Sequence, residues 1–338
     1  MSWRGAPAWT YGALCASFAA AFALGSRWNR RLVIAPIDGG IAAAQPRGEE
    51  IEAAAGATGS PRVWQKIDKG TGVRSAAYGF VDFKQDKITL SYKVPETEFK
   101  SYNDAYGYSA EQVTALQTWR DNATQSSYRL AVATHKTQAQ VNAAAAAIQK
   151  EYAQKLHDYL QSRGFMLLPG GVTRVDVPGV VRQNKALVKP IAEVFERYAD
   201  RHRYGSMDII GAVLSFAQTA VKYKNVDPIY KGKHTLGFLL PITTIVLGWG
   251  DCDTKSAMVA SILANWDQMR MVGISVPGHY LMGVLQIPDK GDMYVEYQGL
   301  QYILLEPAGP GWFPPGQVAE ETVDQLNGSD GYQIYPFF

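Results

Sequence analysis

Hydrophobic positions change period several times along the chain, and each change predicts an element. Aromatic and β-branched residues concentrate in Ala77–Phe83 and Ile88–Tyr92 around a polar turn at Lys84–Lys87, which predicts a β-hairpin. Ser109, ahead of Ala110-Glu111-Gln112, has the character of a helix N-cap. Val141, Ile148, Tyr152, Leu156 and Tyr159 recur at helical spacing and predict a second helix over 137–162. These two helices would form an αα-hairpin, a lid or an inserted arm. Phe165–Leu168 and Val172–Val177 flank the turn signal Pro169-Gly170-Gly171. Val188, Ile191, Phe195 and Tyr198 share one face of a helix over 188–203. Ile210, Leu214, Ala217 and Val221 mark another helix from about Met207. A turn at Gly248–Asp251 then leads into a helix from Cys252 to about Ala264. Strand patterns come next at Met271–Val276, Tyr280–Ile287, Met293–Gln298 and Gln301–Glu306. Helices succeeded by a run of strands predict an α+β fold, with an antiparallel sheet packed on the Cys252 helix.

The N-terminus has a different texture. Ala8 to Gly25 carries no charge and is apolar or small throughout. It is close to the roughly 20 residues that cross a bilayer, and reads as an anchor or a signal segment. Arg4 precedes it, while Arg27, Arg30 and Arg31 lie just after it, a distribution that works against export of the downstream chain. Residues 36–73 are rich in Ala, Gly, Pro and Glu without sustained periodicity and predict a flexible linker. The expected organisation is therefore an anchor segment with basic flank (1–35), a linker (36–73), a hairpin and helical accessory region (74–206) and a catalytic domain (207–338).

Composition narrows the function. The chain has 338 residues, 47% hydrophobic and 19% charged, as in a folded globular protein. Its 33 basic and 31 acidic residues leave a net charge of +2, with no basic stripe of the kind nucleic acid needs. No His/Cys/Asp/Glu cluster has metal-ligand spacing and no glycine-rich phosphate loop is present, so neither a metal nor a cofactor is expected.

The chemistry gathers around one thiol. Cys252 is one of two cysteines, and the other, Cys15, falls in the apolar segment. The Gly250-Asp251-Cys252 turn puts Cys252 at a helix N-terminus, where backbone N–H groups and the helix dipole favour thiolate. Pro277-Gly278-His279 comes twenty-seven residues later, and Leu304-Leu305-Glu306-Pro307 another twenty-seven. Nucleophile, base and orienting carboxylate in that order suggest acyl transfer. Tyr302, Leu304 and Glu306 alternate onto one strand face, which favours Glu306 over Glu296 as the acid. Asp251 and Asp253 read as helix-capping residues, and Lys255 as an exposed one. His135, His157, His202 and His234 sit in polar surroundings and read as solvated. Gln218 lies on or beside the inward face of its helix, where a polar group needs a partner or a task.

Taken together, Gly250-Asp251-Cys252-Asp253-Thr254-Lys255-Ser256, Pro277-Gly278-His279 and Tyr302–Pro307 resemble the bacterial transglutaminase-like superfamily. Ser215–Tyr223 also resembles that family's helix before the nucleophile. The resemblance covers about residues 207–318. Papain-type proteases share the chemistry but place the histidine much farther from the cysteine. The resemblance implies a papain-like core with Cys252 as nucleophile, His279 as base and Glu306 in the place usually held by Asp. It implies an oxyanion hole from the Cys252 backbone N–H and from Gln218, which stands where the family typically has Trp. The implied activity is cysteine-dependent attack on a protein or peptide amide through a thioester, resolved by water. The alternatives are a cross-linking transglutaminase and a membrane-tethered binding or assembly module with an inactive site. A catalytic domain outside the cytoplasm, tethered to the membrane by the N-terminal segment, is the expected location.

Overall fold

The computed structural model describes residues 31–34, 63–168, 171–329 and 331–338. The apolar Ala8–Gly25 segment lies outside the described residues. Among those described, no helix is long and apolar enough to cross a membrane.

The architecture is mixed α+β. Strand β1 (Arg31–Ile34) borders a large sheet formed by the C-terminal third of the chain. Strands β2 (Trp64–Gly70), β3 (Val73–Val81) and β4 (Lys87–Pro95) form a separate antiparallel sheet. The predicted hairpin is β3–β4, longer at its open end, with β3 stopping at Val81 rather than Phe83. Strand β2 corrects the reading of 36–73 as linker throughout. Among the described residues it is an edge strand paired only with β3, so its polar sequence Trp-Gln-Lys-Ile-Asp-Lys-Gly needs no continuous apolar face.

Helix α1 (Glu96–Asp104) continues the chain. Next come α2 (Ala110–Ala133) and α3 (Gln138–Ser162), which pack against each other as an arm. Ser109 caps α2, accepting from the Gln112 N–H at 3.2 Å. Thr137 and Gln140 form a capping box at α3. Along the arm only Ala131, Tyr152 and Leu160 are buried. Its foot rests on β5 (Phe165–Leu167), which pairs with β6 (Thr173–Val175).

Helices α4 (Val177–Asn184), α5 (Lys189–His202) and α6 (Ser206–Ser215) come next, and α6 runs into a π-helical turn at Phe216–Ala220. Short pieces lead on from it: β7 (Lys222–Tyr223), β8 (Ile229–Tyr230), β9 (Lys233–His234), α7 (Pro241–Leu247) and β10 (Trp249–Gly250). Helix α8 (Cys252–Leu263) is buried from Thr254 to its end. Its small and apolar residues allow α4, α7 and the sheet to close in around it.

Strands β11 (Met271–Val276), β12 (His279–Leu285), β13 (Met293–Tyr297) and β14 (Leu300–Leu305), then α9 (Glu320–Asn327) and β15 (Gln333–Pro336), complete the chain. The sheet is antiparallel, ordered β1-β13-β14-β12-β11-β15, and its five C-terminal strands curl into a half-barrel. Helix α8 packs on β12. Tyr280, Met282 and Val284 face the main core, while Val272, Ile274 and Leu281 join Leu326 of α9 on the other side. The main core is continuous from Ala76 to Phe337, so residues before and after 206 share it. Tyr78 and Phe80 meet Phe216 at 5.1 and 5.5 Å between ring centres, and the Tyr78 hydroxyl donates to the Ile245 carbonyl.

Candidate active site

The fold gathers residues from the Cys252–Glu306 stretch at one end of α8. Helix α7 ends at Gly248, whose φ of 76° is the left-handed cap that glycine adopts freely. The chain then runs through β10, which pairs in parallel with β7 and sets Tyr223 beside Gly250. Asp251 is the N-cap residue of α8 and Cys252 its first helical residue. The Cys252 N–H is thus among the helix's first N–H groups, which have no intrahelical acceptor. The Asp251 side chain makes no cap bond. Its Oδ2 instead accepts from the Val226 N–H at 3.3 Å and holds the preceding loop.

His279 starts β12 directly after the tight Pro277-Gly278 turn, with Gly278 at φ 76°. Its Nε2 lies 3.0 Å from Oε1 and 3.0 Å from Oε2 of Glu306, just past the end of β14. The His279 side chain is 15% exposed and that of Glu306 4%. Cys252 is close enough for its polar group and charge to act on the same imidazole. With Nε2 engaged by the carboxylate, Nδ1 is the nitrogen left for sulfur. Burial acts to lower the His279 pKa, but the hydrogen bonds to Cys252 and Glu306 and their charges outweigh it and raise it to about 10. The ring is therefore an imidazolium at neutral pH, suited to holding a thiolate.

Glu306 is held from other sides too. Thr322 of α9 donates to Oε2 at 2.9 Å, and the Ala308 N–H reaches Oε1 at 3.4 Å. Of the three residues expected to work together, His279 and Glu306 are thus in direct contact, and Cys252 acts on the imidazole through its charge. Glu296 is elsewhere, paired with Gln301 across the sheet.

Gln218 has a different task from the one expected. Its Nε2 donates to the carbonyls of Glu306 at 2.8 Å and Phe313 at 2.9 Å, and its Oε1 accepts from the Phe313 N–H at 3.0 Å. Both amide hydrogens are spent on backbone, so none is free for an oxyanion. Gln218 instead fastens the loop after Glu306 to the π-helical turn. Gly309 packs so closely there that a Cβ would lie 2.5 Å from the Gln218 carbonyl oxygen.

Lys255 is also corrected: it is fully buried rather than exposed. Its Nζ donates to the Val221 carbonyl at 3.0 Å and to the Ala308 carbonyl, tying together loops on two sides of the site. Burial lowers its pKa to about 7 against the raising effect of Glu306, Asp251 and Cys252. Asp253 does not cap the helix from outside. Its Oδ1 accepts from the adjacent Thr254 N–H at 2.7 Å, while burial and the Asp251 carboxylate push its own pKa well above the usual range.

Tyr223 carries no signal in the sequence. It is half exposed near Cys252, its pKa pushed up to about 12 by burial and then by the charges of Cys252 and Asp251. Only the parallel β7–β10 pairing brings it there, and no local motif announces that. Of the other histidines, His202 pairs with Asp86 at 3.0 Å and His234 stacks on Tyr108, both away from the thiol. Among the described residues no group of three or more His, Cys, Asp or Glu side chains could hold a metal ion.

Comparison of the chain with protein-family models, with curated proteins and with solved structures finds no match in any of the three.

Proposed function

We propose that this chain is a cysteine-dependent hydrolase of protein or peptide amide bonds, built on a transglutaminase-like core. The observation that carries the proposal is the Cys252–His279–Glu306 constellation, with His279 Nε2 3.0 Å from both carboxylate oxygens and the thiol at the start of α8. The Cys252 thiolate attacks the amide carbon and the carbonyl oxygen becomes an oxyanion. The Cys252 backbone N–H stabilises that charge, a contribution of about 3 kcal/mol for one well-placed donor. The C–N bond breaks and the departing nitrogen takes a proton from His279. Water then adds to the thioester, giving its proton to His279, and the acid leaves as the thiol is restored. An amine in place of water would make the same site a cross-linking enzyme. The uncharged Ala8–Gly25 stretch supports tethering of this enzyme to a membrane.

The test is to react the full chain with iodoacetamide at neutral pH and locate the label by mass spectrometry. The proposal expects Cys252 to react much faster than free cysteine, and a peptide library to leave an acyl adduct on Cys252 that Cys252→Ala lacks. A thiol slower than free cysteine with no adduct would leave a binding or assembly module as the better reading.

A further inference from the structure

Helix α9 covers the face of the sheet that carries the His279–Glu306 pair. Side chains alternate between faces along a strand, so His279 shares its face of β12 with Leu281. Glu306, one step past β14, continues the face of Tyr302 and Leu304. Leu281, Tyr302 and Leu304 all belong to the core cluster that Leu326 of α9 joins. Thr322 precedes Leu326 by about one helical turn, and both are buried. The Thr322 hydroxyl reaches Glu306 from there, donating to Oε2 at 2.9 Å from 16 residues further along the chain.

Glu306 needs such a contact. It is buried, and an ionised carboxylate only accepts, so its oxygens must find donors inside the protein. His279 Nε2 meets both oxygens at 3.0 Å. The Ala308 N–H adds a contact of 3.4 Å to Oε1, but it lies two residues along the same backbone and moves with Glu306. Thr322 is the anchor from a separate element. The last torsion of a glutamate is broad, so the carboxylate turns readily unless one oxygen is held. Threonine is branched at Cβ and stiff at χ1, so on a buried helix face it holds its hydroxyl in place. Holding one oxygen fixes the carboxylate plane, and that plane decides whether Nε2 meets both oxygens.

Resting on the cysteine hydrolase reading, we infer that Thr322 is a positioning residue for that reaction: its hydroxyl locks the Glu306 carboxylate in the plane that grips His279, and so governs proton delivery by the imidazole. Without the hydroxyl, the carboxylate turns and one of the two 3.0 Å contacts lengthens. Two effects then compete at the ring. Losing a donor leaves Glu306 a stronger acceptor, which would tighten its hold on the imidazolium. Losing the orientation weakens that hold, and a positioning role means that this second effect wins. Glu306 and Cys252 are the charged groups that act on His279, so a weaker Glu306 contact lowers its pKa from about 10.

The experiment titrates the His279 imidazole by NMR in the full chain, its signal assigned by loss in His279→Gln. It also measures kcat and KM with a peptide that acylates Cys252. Thr322→Val keeps the branched shape and deletes the hydroxyl, while Thr322→Ser keeps the hydroxyl. In Thr322→Val the His279 pKa should fall by about one unit. Its kcat should fall by about tenfold, the scale of one lost hydrogen bond to a charged group, with KM unchanged. Thr322→Ser should return both close to the parental values. Should Thr322→Val fail to fold, Thr322→Ala deletes the same hydroxyl with less bulk. A merely structural hydroxyl would lower Tm and leave the His279 pKa and kcat unmoved, which overturns the proposal. A His279 pKa that rises, or that Thr322→Ser does not restore, overturns it too. A parent with no turnover and a sluggish Cys252 overturns the hydrolase reading, and the His279 titration still decides whether Thr322 positions the ring.

Discussion

Nε2 of His279 stands 3.0 Å from each oxygen of Glu306, so the carboxylate grips the ring symmetrically. A symmetric acceptor fixes the ring plane and holds a proton on Nε2, which leaves Nδ1 to deal with sulfur. Glu306→Gln replaces one acceptor with an amide N–H and permits the wrong tautomer. It should lower kcat by about 10²–10⁴-fold with little change in KM. The alkylation rate of Cys252 at pH 7 should fall in parallel, because the imidazolium that stabilises the thiolate is lost. Glu306→Asp is too short to reach the ring and Thr322 together and should fall between the two.

The pH dependence of turnover comes from the raised pKa of His279, about 10. Above that value the ring has no proton for the leaving amine. Turnover should therefore decline as pH rises through about 10, while alkylation of Cys252, which needs only the thiolate, should not. Parallel pH profiles of peptide cleavage and iodoacetamide labelling make the comparison. Coincident decline of both would contradict the assignment of His279 as proton donor.

Stability against pH sets His279 against Lys255. The folded state raises the His279 pKa above its ordinary 6.5, so its contribution is complete below about pH 6.5 and is lost as pH climbs towards 10. The folded state lowers the Lys255 pKa from 10.5 to about 7. Between those values the unfolded chain binds more protons at this site, so stability rises with pH. The two slopes oppose each other across roughly pH 7–10. Wild-type Tm should stay nearly level there, and Lys255→Met should unmask a fall. Lys255→Met also orphans the carbonyls of Val221 and Ala308, costing about 1–3 kcal/mol for each buried group left unpaired. A Tm that rises in this variant at pH 8 would show that burying the amine costs more than its two bonds return.

Gln218→Leu separates a fastener from an oxyanion donor. Three hydrogen bonds to the 306–313 loop disappear, leaving the carbonyls of Glu306 and Phe313 and the Phe313 N–H without their partner. The expected result is a Tm lower by several degrees and greater proteolytic sensitivity in that loop. The kcat of the molecules that remain folded should fall by less than the 10²–10³ typical of a lost oxyanion donor.

Legibility in the sequence ends where local patterns end. The hairpin β3–β4, the cap at Ser109 and the strands β11 to β14 are written in periodicity and turn chemistry, whereas β15 was not read. Cys252, His279 and Glu306 stood out as candidates because each sits at an element boundary with Gly250, Gly278 or Pro307 within two residues. The burial of Lys255 was partly written too. Ala257, Met258, Val259, Ala260, Ile262 and Leu263 leave α8 no polar face, so a lysine there had little solvent to reach. The partners of Gln218 and the approach of Thr322 to Glu306 were not legible. Each depends on how separate elements dock, which no local pattern encodes. Strand β2 escaped because an edge strand can be polar on both faces.

The arm formed by α2 and α3 gives the last prediction. Its two helices pack on each other, and beyond the foot little of either is buried. The foot is a different matter. Leu160 lies in the main core, Leu156 and Tyr159 pack against it, and the Ser109 N–H donates to the Tyr159 hydroxyl at 3.1 Å. Among the described residues the hairpin joins the fold at its base, and such a hairpin behaves as its own cooperative unit, opening more readily than the core. Replacing residues 117–150 with a short Gly/Ser turn removes the exposed Tyr128, Leu130 and Val132 but retains Leu156, Tyr159 and Leu160. The shortened protein should unfold within a few degrees of the parent, and Cys252 should alkylate at the parental rate. If alkylation instead changes severalfold while Tm holds, the arm covers the site in solution. Hydrogen exchange on the full chain offers an independent check: amides of 112–150 should exchange well before those of α8, which is buried from Thr254 onward.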